Sequence, residues 1–220
     1  MPIGHRFRES FPHYTGGERI ADACVHVAGV TASLAAAAIL ITISFTSLPP
    51  LSTVSVVIYS IGLVAVFGFS AGYHLVTLPG LKAILRRCDH AAIFVKIAAT
   101  YTPFAVVKIG GIAGLTLLGA VWAIAVVGVI AKLGWPERFP RTAYVLYLGQ
   151  GWVGIAAFNP LTAALSTSAL VLLVLGGCLY TIGVVFHLWR TLPYHNAIWH
   201  AFVLTASACL FAAVVEAVAT

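Results

Sequence analysis

Charge is what this chain has least of. Charged residues make up 8% of its 220 positions, against roughly 25% in an ordinary soluble domain. A water-facing exterior cannot be built from so few, and with 61% hydrophobic residues the composition is that of a membrane protein. Cysteine is sparse too. Cys24, Cys88, Cys178 and Cys209 are scattered with no C-x-x-C pair, so neither a disulfide framework nor a thiolate zinc site is indicated. There is no internal repeat, no low-complexity segment and no polar stretch long enough to fold as a soluble domain. No nucleic-acid motif accompanies the basic balance of +6.

What the chain does have is a succession of apolar runs. At about 20 residues each and about 1.5 Å per residue, such runs cross a hydrocarbon core of about 30 Å. Breaks at Pro, Gly and charged positions predict an all-α integral membrane protein with seven transmembrane helices, near 25–47, 53–78, 88–108, 111–131, 141–158, 163–188 and 195–217. Residues 1–24 form a polar N-terminal segment, and 25–220 form one membrane domain. The first apolar run exceeds a signal-peptide core and is expected to be retained as a span. The break at Lys108-Ile109-Gly110-Gly111 is so short that spans three and four must form a tight helical hairpin. A count of six is the alternative.

Basic residues select an orientation. Arg6, Arg8 and Arg19 precede span one; Lys82, Arg86 and Arg87 follow span two; Lys132, Arg138 and Arg141 follow span four; Arg190 precedes span seven. The opposite loops hold only Lys108. This alternation predicts a cytoplasmic N-terminus and an outside C-terminus, as a multi-pass protein of the plasma (inner) membrane, with basic loops suited to an anionic leaflet.

An ionisable side chain inside a bilayer costs about 2.5–3.5 kcal/mol on insertion scales, which makes each one a functional candidate. His74 lies one turn from the cytoplasmic end of span two, in FGFSAGYHL, with Ser70 four residues earlier on the same face. Asp89 opens span three in RRCDHAAIF. His200 lies in span seven with Asn196 four residues before it, His195 is rotated away, and His26 begins span one. The orientation puts His74, Asp89, Asn196 and His200 in one thin layer beneath the cytoplasmic surface. Imidazoles and a carboxylate are the ligand set of zinc or another transition metal, and catalytic zinc keeps three protein ligands plus an open position. Interfacial histidines reaching headgroup water are the plainer reading of each one alone.

Four stretches carry a family resemblance. FGFSAGYH, LRRCDHAAIFVKIAATYTPF, FHLWRTLPYHNAIWHAFVLTASAC and GERIADACVH resemble, in order, the S-x3-H, third-span, last-span and N-terminal elements of the hemolysin III family, the bacterial branch of the progestin and adipoQ receptor (PAQR) group. The resemblance implies a seven-helix bundle and a zinc near the cytoplasmic side, held by one histidine of span two and two of span seven. An aspartate at the start of span three then acts on the metal-bound water. Carried over, His74 and His200 are ligands, Asp89 is the acidic partner and Ser70 the adjacent polar residue.

The departures are specific. The family's last motif is H-x3-H, and here its first position is Asn196. His195 sits five residues before His200, about 140° around an ideal helix. Completion of the shell is therefore open between an Asn196 amide oxygen, His195 swung in after Pro193, and two histidines with Asp89 and water; zinc's preference for nitrogen and charged oxygen favours the last two. Asp22 stands where the family usually has asparagine, Val25 replaces its serine or threonine, and Lys96 falls mid-span where the pattern is aliphatic. Lys96 reads first as a lysine snorkelling or facing a wet cavity, and second as a partner for Asp89 or for substrate.

Three functions follow as expectations. One is a zinc-dependent hydrolase of a membrane lipid amide or ester, with Asp89 as proton acceptor. Another is a non-enzymatic sensor of membrane state with a structural metal. A pore-forming cytolysin is the third, and it lacks the repeated polar stripe that would line a conducting lumen.

Overall fold

The computed structural model describes residues 14–135 and 140–219. Arg6, Arg8 and Arg138 of the charge argument lie outside them. Among the described residues every regular element is helical. In chain order these are α1 (Gly16–Ser47), α2 (Pro50–Leu75), α3 (Pro79–Pro103), α4 (Gly111–Gly134), α5 (Pro140–Gly151), α6 (Phe158–Ala164), α7 (Thr167–Leu188) and α8 (His195–Ala219).

Among the described residues six helical stretches are long and apolar enough to cross a membrane: α1, α2, α3 with its extension to Ile109, α4, α7 and α8. The short break foreseen between spans three and four is real. A π-helical turn, Phe104–Ile109, closes α3, and Gly110 and Gly111 carry φ of 61° and 55°, the left-handed region where a Cβ is strained. The expected fifth span is where regularity fails. Between 140 and 164 the chain runs as α5, a 3-10 turn at Val153–Ala157, and α6.

That break is supplied with partners. The Tyr101 hydroxyl of α3 donates to the Gly151 carbonyl at 2.5 Å and accepts the Gly154 N–H at 3.1 Å, taking up two backbone groups that an unbroken helix would have paired internally. Gln150 is 1% exposed and donates to the carbonyls of Phe94 and Val121. Side chains from α3 and α4 thus anchor the broken segment.

At its start, α1 reaches further than its apolar run. Thr15 Oγ1 accepts the Glu18 N–H at 3.2 Å while Glu18 Oε2 accepts the Thr15 N–H at 2.8 Å, a reciprocal cap that stabilises a helix start by about 1 kcal/mol. The helix therefore begins at Gly16 rather than near residue 25, and Asp22 belongs to it.

Two apolar clusters hold the bundle. One joins Leu40, Val56, Tyr59, Phe104 and Val214 across α1, α2, α8 and the π turn; the other joins Phe94, Tyr101, Val121 and Tyr147 across α3, α4 and α5. Small residues set the closest approaches. A Cβ at Gly62 of α2 would lie 2.7 Å from the Ala99 Cβ of α3. Large apolar side chains such as Phe45 and Ile112, 71% and 85% exposed, face outward, as suits a bundle whose solvent is lipid.

Candidate metal centre

Four side chains from three helices meet at one end of the bundle. Asp22 and His26, four residues apart, share a face of α1; His74 comes from the last turn of α2, and His200 from α8. Each offers one ligand atom, and the four atoms all lie within 4.8 Å of one another. Asp22 is the hub. Its Oδ1 is 2.7 Å from His200 Nδ1, and its Oδ2 is 3.1 Å from His74 Nδ1 and 3.4 Å from His26 Nε2. The three imidazoles crowd together, with centroids 4.3 Å (His26 to His200), 4.6 Å (His74 to His200) and 4.7 Å (His26 to His74) apart.

The donor set fits a transition metal. Ligands on tetrahedral zinc at about 2.0–2.2 Å stand roughly 3.3–3.6 Å from one another; the spacings of Asp22 Oδ2 to His74 and His26, 3.1 and 3.4 Å, come near this, while the 2.7 Å from Oδ1 to His200 is that of a hydrogen bond. Imidazole nitrogen and carboxylate oxygen are the chemistry zinc takes. His26 supplies a further sign. It is 2% exposed, and its Nε2 has only Asp22 Oδ2 at 3.4 Å, without a well-formed hydrogen bond, an arrangement costly in a dry interior and natural for a nitrogen that ligates.

The residues singled out by sequence distribute as follows. His74 and His200 lie in the group. Asn196 lies against it, its Nδ2 donating to Asp22 Oδ1 at 3.1 Å and standing 3.3 Å from His74 Nδ1. His195 is turned away, its ring centroid 6.0 Å from that of Tyr14. Asp89 is outside the group, 3.7 Å from His90 Nδ1. Ser70 is buried one turn below His74. Asp89, His195 and Ser70 all line the same cavity as the four, a space of about 1250 Å³ running into the bundle.

Asp22 and His26 entered the sequence reading only as a departure and a span start. Their signal was the four-residue spacing in GERIADACVH, hidden because hydropathy begins the span after Asp22. The two departures, Asp22 and Asn196, turn out to be hydrogen-bonded to each other across 174 positions of sequence.

An all-helical, multi-pass membrane protein with a group of three histidines and an aspartate, His26 and His200 buried, is the class these features define. A family model described as "Haemolysin-III related" matches residues 18–211. The chain is 39% identical over 198 residues to the hemolysin-3 homolog of Bacillus subtilis (strain 168), covering 90% of this chain and 93% of that protein. It is 36% identical over 194 residues to the hemolysin-3 of Bacillus cereus, covering 88% and 89%. With the human monocyte to macrophage differentiation factor it shares 31% identity over 166 residues, 71% of this chain and 67% of that protein. The chain belongs to the haemolysin-III related family.

Proposed function

We propose that Asp22, His26, His74 and His200 hold one zinc ion, and that the cavity beneath it serves hydrolysis of a membrane lipid amide or ester. The observation that carries this reading is the convergence of three imidazoles and a carboxylate at the head of a large cavity inside a membrane protein. Zinc held there would supply Lewis acidity, polarising a carbonyl and acidifying water.

The protein's own groups do the rest. Asn196 fixes Asp22 by donating to Oδ1, leaving Oδ2 toward His74 and His26. Asp89, which lines the same cavity, is the proton acceptor, and His90 beside it is held in place by its Nδ1, 2.6 Å from the Arg86 carbonyl it donates to. Ser70 offers its hydroxyl to the substrate's polar end. The cavity is also lined by the apolar side chains of Phe104, Leu173 and Leu210, which suit an acyl chain.

Topology is part of the proposal. The segment 140–164 is read as a broken crossing, which restores seven spans; its partnered break at Tyr101 supports a position at membrane depth. Arg19, Lys82, Arg86 and Arg190 line the cavity at the metal end, which supports a cytoplasmic placement of that end in an inner membrane, with the N-terminus inside and the C-terminus outside.

A second reading rests on the same group. Four protein ligands are the number of a closed structural site, whereas catalytic zinc keeps a position open; a metal tying α1, α2 and α8 together would serve a sensor of membrane state. Metal analysis and lipid hydrolysis on purified parent and Asp89→Asn separate the two. The hydrolase expects near-stoichiometric zinc in both and release of fatty acid from a ceramide-type amide by the parent alone. Zinc without release from either leaves the structural reading, and no metal in the parent removes both.

A further inference from the structure

Lys96 stands at the middle of the bundle. Its Cα is 3.5 Å from where a Cβ on Gly62 would lie, and Gly62 precedes His74 by twelve residues, about 18 Å along α2. The side chain is 4% exposed and reaches the cavity. Its Nζ donates to Tyr180 Oη of α7 at 2.5 Å, and Tyr180 Oη lies 2.6 Å from Ser207 Oγ of α8. With Lys96 as donor to Tyr180, the phenolic proton goes to Ser207. The chain of hydroxyls thus accepts from the ammonium and brings it no negative charge.

Among the described residues no carboxylate answers Lys96. Four acids are described, and each is engaged elsewhere. Glu18 caps α1 and accepts the Tyr194 N–H; Asp22 is the hub of the histidine group; Asp89 pairs with His90 two turns up α3; Glu216 accepts from Ser166 and Ser168 at the far end of α8. An ammonium has three N–H groups, and Tyr180 takes one. A buried cation left so is costly, and in a membrane interior it marks a ligand or ion site.

We propose that Lys96, with Tyr180 and Ser207 behind it, is the anchor of a second binding site, separate from the metal group, for the carboxylate of a long-chain amphiphile. A singly charged head matches the single ammonium, since the other described cations of the cavity lining, Arg19, Lys82, Arg86 and Arg190, lie toward helix ends and loops in the sequence, and a doubly charged phosphate would bury net negative charge. The cavity that Lys96 lines is also lined by Ile97, Phe104, Leu173, Val203 and Leu210, which suits hydrocarbon rather than a hydrated small acid. The volume of about 1250 Å³ exceeds the roughly 300–1,000 Å³ of small-ligand pockets and has room for an extended chain.

The test is binding of radiolabelled palmitate to the purified full-length protein in detergent, with 1-hexadecanol and acetate as competitors, on parent, Lys96→Met and Lys96→Arg. Metal content and elution profile are measured on the same samples, so failure of the metal site and failure of the Lys96 site are told apart. The expectation is saturable binding to the parent, weakened by about tenfold or more in Lys96→Met and retained in Lys96→Arg, with metal content unchanged. Palmitate should also raise the melting temperature of the parent and leave that of Lys96→Met unmoved. Equal palmitate binding by parent and a well-folded Lys96→Met overturns the proposal, as does competition by hexadecanol as strong as that by palmitate itself. Acetate displacing palmitate at equal concentration overturns the amphiphile.

Discussion

Two polar centres sit inside one apolar bundle, and they solve the cost of burial differently. At the candidate metal centre, four titratable groups from α1, α2 and α8 converge on each other, so a carboxylate and three imidazoles offset one another and share a common centre. At mid-bundle, among the described residues, the Lys96 ammonium donates to the Tyr180 hydroxyl, which is in turn bonded to Ser207. The first centre is close to self-sufficient once a cation joins it; the second needs an anion from outside the chain. Residue type and depth decide which: groups that can ligate cluster, whereas an ammonium can only donate.

Breaking the first centre should give the largest effect. His200→Ala or His74→Ala removes a ligand from a set of four, and bound zinc in the purified protein is expected to fall from about one equivalent to near zero, read by elemental analysis. Retention of a full equivalent in both would end the metal reading. Asn196→Ala touches the same centre more gently: it removes one of the two contacts at Asp22 Oδ1, leaving His200 Nδ1, without removing a ligand, and zinc affinity in a competitive chelator titration is expected to drop about tenfold, the low end for groups that orient ligands. An unchanged affinity would reduce Asn196 to packing.

Smaller effects test the scaffold that separates the two centres. Gly62→Val forces two methyl groups against Ala99 and the backbone of Lys96, and overpacking of this kind costs about 1–3 kcal/mol. The melting temperature should fall while zinc content stays near that of the parent. Thr15→Ala removes one half of the cap that starts α1. A loss of about 1 kcal/mol is expected, seen as faster amide exchange in the first turn around Glu18 and a modest loss of zinc affinity through Asp22.

Much of the fold could be read from local pattern. The hairpin at Lys108 to Gly111 was visible because two consecutive glycines after a lysine leave no room for a loop, and φ of 61° and 55° is the conformation those glycines permit. The fifth span was less legible. Hydropathy treats 141–158 as one continuous span, whereas Gly151, Gly154 and a tyrosine on another helix allow it to break. In the candidate site, His74 and His200 stood out because a histidine in an apolar run is conspicuous. Asp22 did not, because it sits in polar sequence that only the Thr15–Glu18 cap makes helical.

By itself, then, the sequence determined that this chain lives in a membrane, roughly where its helices run, and that histidines recur near one set of helix ends, since apolar length, glycine and charge act within a few residues of where they occur. Only the tertiary structure decided that Asp22 and His26 join His74 and His200 while Asp89 and His195 stand aside. Spacing of four residues says which side chains share a face of one helix. Which faces meet is a property of packing between helices, set here by contacts such as Gly62 on Ala99 and Gly29 on Phe67, and no single helix contains that information.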